Sequence, residues 1–257
     1  DVAPSRGLGD VYKRQDHTIP KKGSMTMHWE QQYRKAVTFS YDDGNEQDEK
    51  LLEIFNDYGM KATFHVNTGL DHDHGTWQYR DRLWVHRLNL RDCPSLYRGH
   101  EVAVHGSLHQ NLTELSPEAL EEELGGNLRA ITEIFGTRPV GMSYPYGVYN
   151  DTVVEKLKEL DLRYGRGVAS SRSFAPQKDL LRFQPTCHHD DAQLFSLAEQ
   201  FLAMEPETPQ IFYIWGHSYE FEGNRNWDRM KRLCEMLSGK ADIFYGTNAE
   251  VLLGGGA

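Results

Sequence analysis

Residues 38–44 read TFSYDDG, an apolar and β-branched run that ends in two adjacent carboxylates and a glycine. Asp-Gly is a common turn pair after a strand, so a turn is the plain reading. It leaves open why Asp42 and Asp43 stand side by side, where their charges repel. Around this stretch the pattern is strand, helix, strand, repeated. AVTFSY (36–41) is a buried-type strand, and EQDEKLLEIFNDYG (46–59) carries Leu51, Leu52, Ile54, Phe55 and Tyr58 on one helical face. Further strands are expected over 62–68, 101–106, 140–147, 164–169, 180–186, 211–217 and 241–246. Helices are expected over 116–136, opened by Ser116 as N-cap and Pro117 at N1, and over 150–160, 191–204 and 226–238. Residues 69–99 read as an irregular excursion over one end of the domain.

This alternation predicts an α/β fold with a largely parallel sheet, and about seven such units are enough to close into a barrel. The chain has 257 residues, a length that α/β barrels reach undivided. Residues 1–24 show no apolar period and no initiator Met, so they read as a non-native extension, and one domain is expected over 25–257. A net charge of −10 argues against nucleic acid or an anionic membrane surface as the main partner. No apolar stretch approaches the roughly 18 residues that a membrane span needs. Cys93, Cys187 and Cys234 are scattered, odd in number and in no CxxC pair. They read as reduced thiols and, with no secretory signal ahead of Met25, favour the cytoplasm.

Chemistry in such folds gathers at the carboxyl ends of the strands, which here carry Asp42 and Asp43, His105, Tyr146 and His217. HGSLH (105–109) places two histidines four apart, and on a helical turn that spacing puts both rings within reach of one ion. A catalytic zinc site takes three protein ligands and leaves one position open, so a carboxylate from a neighbouring strand end completes the set. The adjacent aspartates then divide the labour. One binds the cation, and the other stays free beside it as a base.

FSYDDG (39–44), HGSLH (105–109), SYPYG (143–147) and IWGHS (214–218), in this order, resemble the motifs of the polysaccharide deacetylases, the NodB-homology group of carbohydrate esterase family four. The similarity runs over roughly residues 36–246. It implies a distorted (β/α) barrel of about seven strands and a metal-dependent hydrolysis of N-acetyl or O-acetyl groups on a poly- or oligosaccharide. Carried over by position, Asp42 is the general base, and Asp43, His105 and His109 hold the metal. The Tyr146 main-chain N–H helps to hold the oxyanion, and His217 is the general acid. The donor set favours Zn²⁺, with Co²⁺, Ni²⁺ or Mn²⁺ as alternatives. Trp215, two residues before His217, is a candidate to line the acetyl pocket, with core packing as its rival role.

Two departures from the family pattern stand out. The arginine that usually opens the third motif and pairs with the base is Ser143 here, and Arg166 is the nearest residue to take its place. The fourth motif has no clean match, and in QPTCHHDD (184–191) His188, His189, Asp190 and Asp191 are all candidates to orient His217. Asp71 to His74 alternate acid and imidazole but read as a solvated loop, and Trp77, Tyr79 and Trp84 read as packing or as a sugar platform. The rival functions are hydrolysis of a small cyclic amide or imide, and a non-catalytic carbohydrate-binding relative.

Overall fold

β1 (Lys35–Asp43) is buried at all nine positions, because it lies mid-sheet with strands on both edges. The computed structural model describes residues 28–254, so the expected extension over 1–24 lies outside the described residues. After β1 come α1 (Asp48–Asp57), β2 (Ala62–Val66), the hairpin β3 (Trp77–Tyr79) and β4 (Leu83–Val85), and β5 (Glu101–Val104). Next are α2 (Pro117–Phe135), β6 (Gly141–Ser143), α3 (Asp151–Glu159), β7 (Tyr164–Arg166) and β8 (Cys187–His188). The chain ends through α4 (Leu194–Ala203), β9 (Gln210–Gly216), α5 (Ser218–Asn224), α6 (Trp227–Leu237), β10 (Ile243–Tyr245) and α7 (Asn248–Leu253).

Seven strands follow the order β7-β6-β5-β2-β1-β9-β8, and β10 pairs with the start of β1. Every pairing in this sheet is parallel. The segment after the turn at Leu180–Arg182 reaches the edge at β7 and, toward the other edge, β9. Phe183 N–H donates to Gly165 O (3.0 Å) beside β7, and Thr186 N–H donates to Tyr213 O (2.9 Å) on β9. That strip across the gap gives the distorted barrel.

The two faces of β1 are buried for different reasons. Val37, Phe39 and Tyr41 join the main apolar core with Leu51 and Phe55 of α1, whereas Thr38, Ser40 and Asp42 point to the barrel interior. There the polar groups pair with one another: Asn248 Nδ2 donates to Thr38 Oγ1 (2.8 Å), and Thr63 Oγ1 donates to Glu101 Oε2 (2.6 Å). A buried polar group needs such a partner, so the interior is a hydrogen-bonded column that leads up to Asp42.

Three local expectations need correction. Residues 180–186 form a 3₁₀ turn and a single bridge, since Pro185 has no N–H for a ladder, and the paired strand is β8. The helices α5 and α7 were not expected. HGSLH is not a helical turn: Gly106 (φ 77°) and His109 (φ 56°) are left-handed, and the loop wraps a buried carboxylate. Glu123 Oε1 of α2 accepts from Leu108 N–H (2.9 Å) and Gln110 N–H (3.2 Å). α2 itself runs unbroken through Gly125 and Gly126, capped by Ser116 accepting from Ala119 N–H.

Candidate active site

Asp43, His105 and His109 meet at the carboxyl end of the sheet. His105 Nε2 and His109 Nε2 each lie 3.7 Å from Asp43 Oδ1. Asp43 takes φ 86° and His109 φ 56°, conformations that cost a side-chain-bearing residue about 1–3 kcal/mol and that cluster at functional sites. His105 shows which way its proton lies. Its Nδ1 donates to Ser143 O (2.9 Å), which leaves Nε2 as a lone pair, buried and without a hydrogen-bond partner, aimed at Asp43. Burial pushes the His105 imidazole down to about 4, so it is in the neutral form that binds a cation. The donor set and the orphaned nitrogen fit a divalent ion.

Asp42 lies beneath this cluster. Burial works against its charge, but the Arg166 guanidinium beside it holds the carboxyl well below the usual carboxylate range. Arg166 is fully buried. Its Nη2 donates to both carboxylate oxygens and its Nε to Ser40 Oγ (3.1 Å), and its guanidinium stacks 4.6 Å from the Trp215 ring. Ser143 Oγ adds a donor to Asp42 Oδ1 at 3.0 Å. So the position where the family pattern has arginine carries a hydroxyl that touches the same carboxylate, and the guanidinium arrives from the next strand.

His217 follows β9 and faces the pair, with Nε2 4.0 Å from Asp43 Oδ2. Burial opposes its charge, but a hydrogen bond from Nδ1 to Glu220 and the nearby carboxylates raise the imidazole to about 9. Tyr146 sits at φ 59°, ψ 3° in the turn Pro145–Gly147, exposed at the mouth, its ring 4.6 Å from that of His109. Asp42, Asp43, His105, His109, Tyr146, Trp215 and His217 all line one cavity of about 710 Å³. A larger hollow, about 870 Å³, opens near Tyr97, Phe135 and Glu250, and none of these seven side chains borders it.

Four contributors escaped the sequence reading. Arg87, from the excursion, is buried and its Nη2 donates to Asp43 Oδ1 (3.0 Å). His65 Nδ1 lies 3.4 Å from Asp42 Oδ1. Glu123 shapes the 105–109 loop, and Glu220 is the carboxylate on His217. None had a local signature, because each looks like an ordinary charged residue in a loop, strand or helix. The His188, His189, Asp190 and Asp191 group divides. The two imidazoles lie against Glu220, Asp190 accepts from Asn224 and Asn226, and Asp191 lies 3.4 Å from Arg172. Asp71 to His74 form an exposed loop in which His74 pairs with Asp71 (2.8 Å) and borders the cavity. Trp77 and Tyr79 pack edge-on to Tyr219 at 5.2 and 5.1 Å, whereas Trp84 is exposed.

The family model for polysaccharide deacetylases matches residues 30–165, more than half of the chain and every residue from Asp42 to Tyr146. The chain belongs to the polysaccharide deacetylase family. It is also 26% identical over 112 residues to the uncharacterized protein YlxY of Bacillus subtilis strain 168, a match covering 44% of this chain and 31% of that protein. The chain therefore matches less than a third of that relative's length. Solved structures resemble it in fold. A family four carbohydrate esterase from Streptomyces lividans, in complex with acetate, aligns with TM-score 0.52 and 17% identity over 84% of this chain and 92% of that one. The peptidoglycan deacetylase PdaC of Bacillus subtilis aligns with TM-score 0.52 and 16% identity over 85% and 90%. BA3943, a pseudoenzyme of the same esterase family from Bacillus anthracis, aligns with TM-score 0.52 and 16% identity over 86% and 66%. Identities this low speak to fold alone. Among the described residues no helix is long and apolar enough to cross a membrane.

Proposed function

We propose that this polysaccharide deacetylase family member is a cation-dependent hydrolase that removes acetyl groups from an N- or O-acetylated saccharide. The observation that carries this reading is the buried, unpartnered His105 Nε2 facing Asp43 and His109, with an ionised Asp42 and a cationic His217 on either side. A divalent cation held by Asp43, His105 and His109, zinc by its donor set and otherwise Co²⁺, Ni²⁺ or Mn²⁺, supplies Lewis acidity toward the acetyl carbonyl and acidifies water.

The chain's own groups do the rest. Asp42, kept ionised by Arg166, accepts the proton of the attacking water. The Tyr146 main-chain N–H, at its strained turn, donates to the oxygen on which charge develops. His217 carries its proton on Nε2 toward the cavity and gives it to the departing sugar nitrogen or oxygen. One carboxylate held ionised and one imidazole held protonated are the paired states that base and acid chemistry need at neutral pH. Trp215 and the exposed Tyr146 border the space for the acetyl group and sugar.

The non-catalytic alternative drew its support from the missing third-motif arginine and the unmatched fourth motif, and Arg166 on Asp42 answers the first of these. The test is acetate release from N-acetylglucosamine oligomers, run beside cyclic ureides, with zinc-loaded wild type and Asp42→Asn. The variant is expected to keep its zinc and lose turnover by at least about 100-fold. Near-normal turnover in the variant would remove Asp42 from the role of base.

A further inference from the structure

Glu220, at the third position of α5, gathers three imidazoles on one carboxylate oxygen. Its Oε2 lies 3.0 Å from His188 Nε2, 3.3 Å from His189 Nε2 and 3.3 Å from His217 Nδ1, and it accepts from the His217 main-chain N–H at 3.1 Å. His189 is fully buried, stacked on Phe221 with ring centres 4.1 Å apart, and its Nδ1 meets the Tyr41 hydroxyl at 3.2 Å. Two histidines and a glutamate at these separations match the ligand set of a catalytic zinc site.

The proton positions decide against that. Asp190 main-chain N–H donates to His188 Nδ1 (3.1 Å), so this nitrogen is a lone pair and the ring proton sits on Nε2, the atom that faces Glu220. A cation at Nε2 would need that proton elsewhere, and an N–H already occupies the other side. Glu220 therefore accepts from His188 and His217, whereas His189 Nε2, 3.3 Å away, makes no hydrogen bond to it.

We propose that Glu220 is the positioning residue for His217 in the deacetylation inferred above, holding the imidazole by Nδ1 so that Nε2 faces the cavity, with His188 anchoring Glu220 from behind. The proposal rests on the deacetylase reading for its kinetic consequences and on geometry for the rest. As the acetyl C–N bond breaks, the Nε2 proton passes to the departing nitrogen, and the Nδ1–H to Glu220 bond keeps the ring in the tautomer that can give it. From the 184–191 stretch, His188 reaches His217 through Glu220.

The test is Glu220→Gln. Glutamine suits the third helical position, where it still accepts from the His217 amide, so the variant keeps α5. With zinc-loaded protein, kcat on N-acetylglucosamine oligomers is expected to fall about 100-fold at unchanged KM, while 4-nitrophenyl acetate, whose leaving group needs no proton, changes by less than about threefold. In metal-free protein the imidazole N–H signal that His217→Asn removes is expected to vanish in Glu220→Gln as well. Equal losses on both substrates, persistence of that signal, or a second zinc equivalent that Glu220→Gln abolishes would each overturn the proposal. If wild type hydrolyses neither substrate, the deacetylase reading fails, and the imidazole signal alone decides whether Glu220 holds His217.

Discussion

Around Asp43, His105 turns a lone pair toward the carboxylate; around Glu220, His188 turns a proton toward it. The difference comes from the far side of each ring. His105 Nδ1 donates to a carbonyl, Ser143 O, whereas His188 Nδ1 accepts from an amide, Asp190 N–H. A single backbone group, acceptor in one place and donor in the other, suits His105 to a cation and His188 to a hydrogen bond with its carboxylate. Similar side chains at similar separations thus acquire different chemistry.

The widest break in the comparison is expected from zinc binding. Asp43→Asn should weaken it by more than the roughly 10–100-fold that changes outside the ligand set produce, while Glu220→Gln leaves it intact. Isothermal titration of both variants checks this, and zinc loss in the Glu220 variant with retention in the Asp43 variant would reverse the assignment. A second contrast lies in how the carboxylates stay charged. Asp42 depends on Arg166, so Arg166→Met leaves an unpaired buried charge and should cost about 3–5 kcal/mol in urea unfolding. Adding Asp42→Asn should recover much of that loss, and failure to recover would mean that Arg166 matters for packing rather than charge.

The smallest effect concerns Asp48, a buried carboxylate with hydroxyls for partners: Ser218 Oγ (2.5 Å) and Tyr97 OH (2.7 Å). Burial outweighs these bonds and pushes Asp48 up to about 7. The folded state then holds a proton that the unfolded chain releases near pH 4, so the stabilisation is complete below pH 4 and is lost as pH rises toward 7. Asp48→Asn should flatten that fall. Unfolding free energies of both proteins between pH 4 and 8 provide the check, and a constant difference across the range would sink the claim.

The strand–helix rhythm, the Ser116 cap and the polar strand ends are local features, so they were legible in the sequence. β1, α1 and α2 come within two residues of their expected bounds. LLRFQPT misled because its apolar residues are strand-like while Pro185 blocks the ladder, and Arg87 escaped because its contact with Asp43 spans 44 residues. Glu220 escaped because α5 was not expected and its partner His188 lies on a distant segment of the chain.

Residue types and their order determined which groups reach the barrel mouth, since alternation along a strand and the stop after it follow from short-range sterics and burial. Only the folded packing decided what each group is there: which nitrogen of an imidazole keeps its proton, and which carboxylate meets a guanidinium, hydroxyls or amides. Those outcomes depend on partners brought together from distant parts of the chain, and the low dielectric of a buried site makes their effect large.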